Sequence, residues 1–160
     1  MQETRSAETW DSYYSTIKKI HDNSKISRVL EWGSGKSTDT FSRWAETVDS
    51  VEHNPAWVIL YPPKNVRIIF EPSQQLYPLQ TGRFDEYDLI FVDGICRPSC
   101  IKTASEIVTA DGIVIVHDAE RKEYQDSYRL FKHSIFTDDG HTVVLTNSDE
   151  KKEKLLEWLK

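Results

Sequence analysis

Three acids and a histidine stand where apolar runs end. Glu52 closes Val48-Asp49-Ser50-Val51, Asp93 closes Tyr87-Asp88-Leu89-Ile90-Phe91-Val92, and His117-Asp118 closes Ile113-Val114-Ile115-Val116. A carboxylate accepts hydroxyl protons, holds a cation or orients a histidine, and histidine changes charge near neutral pH. This set therefore suits ligand binding combined with general-base work. A further run, Arg28-Val29-Leu30-Glu31-Trp32, leads into Gly33-Ser34-Gly35 and then Lys36-Ser37-Thr38. Glycines at 33 and 35 permit positive φ and close approach of a ligand, and a following helix offers unpaired N–H groups at its start. An ordinary strand-to-helix turn uses the same residues, so the turn alone leaves both readings open.

Glu52 adds to it. An acid roughly 20 residues after such a turn is placed to accept the two ribose hydroxyls of a nucleotide. The three-glycine dinucleotide fingerprint is not completed, because Thr38 stands where its last glycine belongs. A ribose without a pyrophosphate fits better. The rival is a P-loop phosphotransferase, since Gly35-Lys36-Ser37 matches the end of a Walker A motif and Phe91-Val92-Asp93 a Walker B strand. That motif also needs an earlier glycine where this chain has Leu30, inside the strand, and it leaves Glu52 without a task.

The elements that must position these residues follow from hydrophobic period. Trp10, Tyr13, Tyr14, Ile17 and Ile20 recur at helical spacing over residues 7–22. That helix is expected to dock on the sheet. A helix is expected over Asp39 to Ala45, and a short one beginning at Pro55 and carrying Trp57, Ile59 and Leu60. Residues 66–71 form a β-branched strand, and 99–109 and 120–130 are helices. Asp138-Asp139-Gly140 is a hairpin turn between two last strands, and Ser148 caps a charged C-terminal helix. The near-continuous apolar runs ending at Val92 and Val116 are those of strands covered on both faces. The fold expected is a doubly wound α/β, mostly parallel seven-stranded sheet with an antiparallel C-terminal hairpin, a three-layer α/β/α sandwich. One domain is expected over 1–160, with an N-terminal helix (1–25) covering the site, a core (26–147) and a C-terminal helix (148–160).

Composition narrows the function classes. With 38% apolar residues, 11% aromatic residues and a net charge of −6 spread along the chain, no basic nucleic-acid footprint is present. No apolar stretch approaches the ~20 residues of a membrane span and no signal peptide opens the chain, so a cytoplasmic protein with no membrane partner is expected. Cys96 and Cys100 lack a second metal-binding pair, which predicts buried free thiols.

The stretches Val29-Leu30-Glu31-Trp32-Gly33-Ser34-Gly35, the strand ending at Glu52, Tyr87 to Gly94 and Gly112 to Asp118 together, in this order, resemble class I S-adenosylmethionine-dependent methyltransferases. The resemblance spans most of the chain, and it implies that the N-terminal helix also covers the cofactor or shapes the acceptor pocket, with Trp10, Tyr13 and Tyr14 as lining residues. It implies S-adenosyl-L-methionine as cofactor and S-adenosyl-L-homocysteine as product. The cofactor-binding residues it implies are Glu31, Gly33, Ser34, Gly35, Ser37, Thr38, Glu52, His53, Ser73, Gln74 and Asp93. His53 and Asn54 flank the ribose acid, Asn54 being equally suited to cap a helix. Ser73 and Gln74 are either adenine contacts or solvated loop residues.

The implied catalytic residues are His117, Asp118, Asp93 and Arg97. The arrangement is similar to catechol-type O-methyltransferases, in which acids after the same two strands bind a divalent cation such as Mg, here Asp93 and Asp118. An Asn then follows the second acid in those enzymes, whereas Ala119 follows here, leaving Glu120 or His117 to replace it. Without metal, His117 is the natural base. Arg97 and Arg121 either hold an anionic group of the substrate or pair with the local acids. The expected partner is a small-molecule acceptor methylated on oxygen, a sugar or other small hydroxylated molecule, with a glycan as one form of it and a homodimer as the candidate assembly. A methyltransferase-like protein that binds the cofactor without transferring its methyl group is the other alternative.

Overall fold

The computed structural model describes the backbone of residues 7–160 and the side chains of residues 13–160. In chain order it contains α1 (Ala7–Asn23), β1 (Arg28–Trp32), α2 (Lys36–Trp44), β2 (Thr47–Glu52), β3 (Val66–Phe70), β4 (Tyr87–Val92) and α3 (Arg97–Ile107). These are followed by β5 (Val108–His117), α4 (Lys122–Tyr128), β6 (His133–Phe136), β7 (Thr142–Thr146) and α5 (Asp149–Trp158). Single 3-10 turns occur at Pro55–Trp57 and Tyr77–Leu79.

All seven strands join one sheet in the order β3-β2-β1-β4-β5-β7-β6. The first five pair in parallel, and β7 runs antiparallel between β5 and β6. This is the mostly parallel sheet with an antiparallel C-terminal pair expected from sequence. Strand order reverses between β1 and β4, and open α/β sheets bind ligands outside the carboxyl ends of strands at such a switch point. The Gly33 turn, Glu52 and Asp93 all emerge there.

Alternate residues of each inner strand face opposite layers. Val29, Leu89, Phe91, Ile113 and Ile115 pack under Tyr13, Ile17 and Ile20 of α1, Phe41 of α2 and Leu155 of α5. Leu30, Trp32, Ile90, Val92, Val114 and Val116 pack against Ile101 and Ala104 of α3 and Tyr124 and Tyr128 of α4. Burial on both faces is why these strands are nearly continuous in apolar residues, each large side chain contributing about 1.5–3 kcal/mol.

The details differ from expectation in four places. First, α2 starts at Lys36 rather than Asp39, because Thr38 Oγ1 accepts the Gly35 N–H at 2.9 Å and caps the helix early. Second, the Pro55 segment makes one 3-10 turn instead of a helix. Pro62-Pro63 close it off, and Leu60 and Tyr61 stay 77% and 93% exposed with nothing to bury against. Third, β5 begins at Val108, with a register shift opposite Tyr87/Leu89. Fourth, Cys100 is buried but Cys96 is only half-buried, its Sγ 3.6 Å from the Gln74 carbonyl oxygen. Burial pushes the Cys100 thiol well above its ordinary range. No helix among the described residues is long and apolar enough to cross a membrane.

Candidate functional site

The glycine turn is built around two buried acids that do different work. Gly33 has φ +104, and a Cβ there would lie 2.9 Å from the Gly94 nitrogen, so only glycine lets β1 end against the end of β4. Glu52, 3% exposed, closes the turn from the neighbouring strand. Its Oε2 accepts from the Ser34 N–H at 2.8 Å and the Ser34 hydroxyl at 3.3 Å. Its Oε1 accepts from the amides of His53 at 2.9 Å and Asn54 at 2.8 Å. The His53 ring stands edge-on to Tyr77. Asn54 Oδ1 caps the 3-10 turn by accepting from Ala56 N at 3.0 Å.

Glu31 does not reach the turn's surface. It faces α2, wholly buried, and its carboxylate receives the hydroxyls of Thr38 at 2.6 Å, Ser50 at 2.7 Å and also Ser37. Ser37 and Thr38 therefore serve Glu31 and the cap, and Ser37 is turned away from the place where a Walker motif would set it on magnesium. Burial pushes the Glu31 carboxyl up to about 7, against the three hydroxyl bonds that favour its ionised form. Any part Glu31 plays toward a ligand runs through the loop it braces.

Tyr77 is a residue the sequence reading missed. It is fully buried, its hydroxyl donates to the Val51 carbonyl at 3.3 Å, and its own carbonyl accepts the Trp32 indole N–H at 3.1 Å. A Cβ on Gly94 would lie 2.0 Å from its hydroxyl. Tyr77 thus fills the space among the ends of β1, β2 and β4, and Gly94 is the glycine that admits it. The only sequence signal was an aromatic side chain within a polar connection. Ser73 and Gln74 lie at the start of the same connection. The Ser73 amide donates to Glu71 Oε1 at 3.0 Å, its hydroxyl accepts from Leu76 N at 3.4 Å, and Gln74 is exposed.

The ends of β4 and β5 bring Asp93, Arg97, His117 and Asp118 together. His117 Nδ1 lies 3.0 Å from Asp93 Oδ1, both side chains being nearly inaccessible to solvent. A carboxylate oxygen accepts, so Nδ1 is placed to donate to Asp93 and Nε2 is the ring nitrogen left over. Nε2 is buried and has no hydrogen-bond partner among the described residues. The Tyr13 ring of α1 covers the imidazole, centroid to centroid 4.8 Å. Tyr14 packs instead near Trp44, and the side chain of Trp10 lies outside the described residues.

Arg97 is not presented to a substrate. Its Nε donates to the Gly94 carbonyl at 2.9 Å, Nη1 to the His117 carbonyl at 2.5 Å and Nη2 to the Asp93 carbonyl at 3.4 Å. It also forms ion pairs with Asp118 Oδ2 at 2.9 Å and Asp93 Oδ1 at 3.4 Å. Three hydrogen bonds to carbonyls and two ion pairs to carboxylates thus engage all three guanidinium nitrogens. Arg121, half exposed, lies 3.6 Å from the same Asp118 oxygen. Asp118 holds φ +53, an uncommon value for a non-glycine residue and one that often marks a functional turn.

No protein-family model matches the sequence, and no curated protein does. Solved structures match its fold. The N-methyltransferase NodS from Bradyrhizobium japonicum superposes with a TM-score of 0.61 over 88% of this chain and 96% of its own, at 10% identity. The MycE methyltransferase of the mycinamycin biosynthetic pathway, solved with Mg, SAH and mycinamycin VI, gives 0.63 at 13% identity over 89% of this chain but 49% of its own. A spermidine synthase in complex with the transition state analogue AdoDATO gives 0.64 at 11% identity, covering 95% of this chain and 62% of that one. The chain has the Rossmann-like fold of class I methyltransferases, which the spermidine synthase shares.

The turn's donor set suits a nucleoside. Glu52 offers the acceptor a ribose diol requires, and above Gly35 an added Cβ would meet nothing nearer than Trp57 Cζ3 at 3.9 Å. A ribose would have to take acceptor positions now held by the Ser34 hydroxyl and the neighbouring amides. The cation-binding set suits its ligand less well. Asp93, His117 and Asp118 each offer an atom, all within 4.8 Å of one another. Arg97 already compensates both carboxylates, Ala119 has no ligand atom, and Glu120 pairs with His141 at 3.0 Å.

Proposed function

We propose that this chain transfers a methyl group from S-adenosylmethionine to a hydroxyl of a small acceptor, with a sugar as the acceptor class the sequence resemblance favours. The Asp93–His117 pair carries this reading, because it sets an unpartnered imidazole nitrogen at the ends of β4 and β5, beside the glycine turn. When bound, the cofactor supplies an electrophilic methyl group on a sulfonium, whose sulfur leaves with the bonding electron pair. Gly33, Gly35 and Glu52 would hold its nucleoside. Asp93 fixes the imidazole with its proton on Nδ1, so that Nε2 takes the acceptor's hydroxyl proton as the new oxygen–carbon bond forms. The charge that then develops on His117 faces the Asp93 carboxylate. Tyr13 excludes water from the ring, and α1 borders the acceptor site.

The test is transfer of labelled methyl from S-adenosylmethionine to a panel of sugars and small phenols by the wild type and by His117→Ala. Labelling that depends on His117 supports the proposal. A second reading, cofactor binding without transfer, is favoured by the inaccessibility of Nε2. Cofactor binding with no labelled acceptor across the panel would select it.

A further inference from the structure

We infer that Arg97 is a built-in replacement for the divalent cation, so that the site between Asp93 and Asp118 works without metal. Two carboxylates at the ends of adjacent strands, with His117 beside them, make a set that could ligate a cation. The guanidinium spans that set, 2.9 Å from Asp118 Oδ2 and 3.4 Å from Asp93 Oδ1, and is itself 6% exposed. It cannot lose its charge by deprotonation. It cannot swing away cheaply either, because its remaining donors hold the carbonyls of Asp93, Gly94 and His117. The two negative charges are therefore already met, with Arg121 adding a second positive group beside Asp118. A divalent ion would enter against fixed positive charge, among side chains already tied to one another by the Asp93–His117 bond. Arg97 is a positioning residue: it ties the ends of β4 and β5 together and sets its positive charge between the two acids, beside the Asp93–His117 bond.

Binding of Mn2+, followed by loss of the free-ion electron paramagnetic resonance signal, tests this directly, whether or not methyl transfer is the reaction. Wild type and Asp118→Asn are expected to take up Mn2+ equally weakly, with no site tighter than about 1 mM. Removing the guanidinium in Arg97→Gln or Arg97→Ala should expose the latent triad and raise affinity at least about tenfold, with the gain lost on adding Asp118→Asn. Uptake by the wild type that Asp118→Asn abolishes would overturn the inference. So would a folded Arg97→Gln that binds Mn2+ no better than wild type. If neither Arg97 variant folds, wild type against Asp118→Asn still decides the matter.

Discussion

The Ser34 amide donates to the Glu52 carboxylate at 2.8 Å, joining the glycine turn after β1 to the end of β2. The acid suited to a ribose is thus also the brace of the turn. Glu52→Ala should lower stability by ~1.5–3 kcal/mol in urea unfolding, the range for hydrogen bonds to a charged group, and should weaken S-adenosylmethionine binding as well. Unchanged stability would contradict the bracing role, and unchanged affinity would remove Glu52 from the cofactor site.

Glu31 makes stability depend on pH in a direction opposite to that of most carboxylates. Its folded-state value near 7 lies above the ordinary carboxylate range, so the folded chain holds a proton that the unfolded chain releases. Its contribution is fully present below about pH 4.5 and is lost as pH rises toward 7, amounting to at most ~3 kcal/mol. Glu31→Gln, which keeps the shape, accepts hydroxyls at one oxygen and donates from its amide at the other position, should flatten this part of the stability–pH curve. Parallel curves for variant and wild type would refute it.

The pairing of Gly94 with Tyr77 predicts coupled effects. Gly94→Ala drives a Cβ to within 2.0 Å of the Tyr77 hydroxyl and should destabilise by about 1–3 kcal/mol. Tyr77→Phe removes that oxygen, so the double variant should be less destabilised than the sum of the single changes. Strict additivity would mean that the two do not meet.

Chemistry and binding should separate at His117. Loss of a general base costs typically 10²–10⁴-fold in rate, so His117→Ala should lower turnover by about that factor while leaving cofactor affinity within about threefold. Asp93→Asn should follow it more mildly. Equal loss of rate and affinity would place His117 in the cofactor's own contacts.

How far the sequence announced this arrangement depends on whether the cause was local. The runs closing at Trp32, Val92 and His117 were legible because strands covered on both faces need apolar residues throughout, and their terminal acids stood out against them. The Pro55 segment misled because Trp57, Ile59 and Leu60 imitate a helical face, although no layer lies ready to bury it. Tyr77 was invisible because its burial depends on a glycine at the end of another strand. Arg97 was legible as a charge near the site but not as a saturated one, since its acceptors include carbonyls contributed by both β4 and β5 ends. Glu31 appeared in a ligand-binding motif, and only its facing toward α2 assigns it to the hydroxyls behind the turn.

The most direct test of the central claim is calorimetric titration of the purified protein with S-adenosylmethionine, S-adenosylhomocysteine and ATP in turn, with and without magnesium. Binding of the first two, indifferent to magnesium and weakened in Glu52→Ala, is the expected result. Binding of ATP with magnesium and of neither sulfur nucleoside would contradict it and restore the phosphotransferase reading of Lys36 and Asp93.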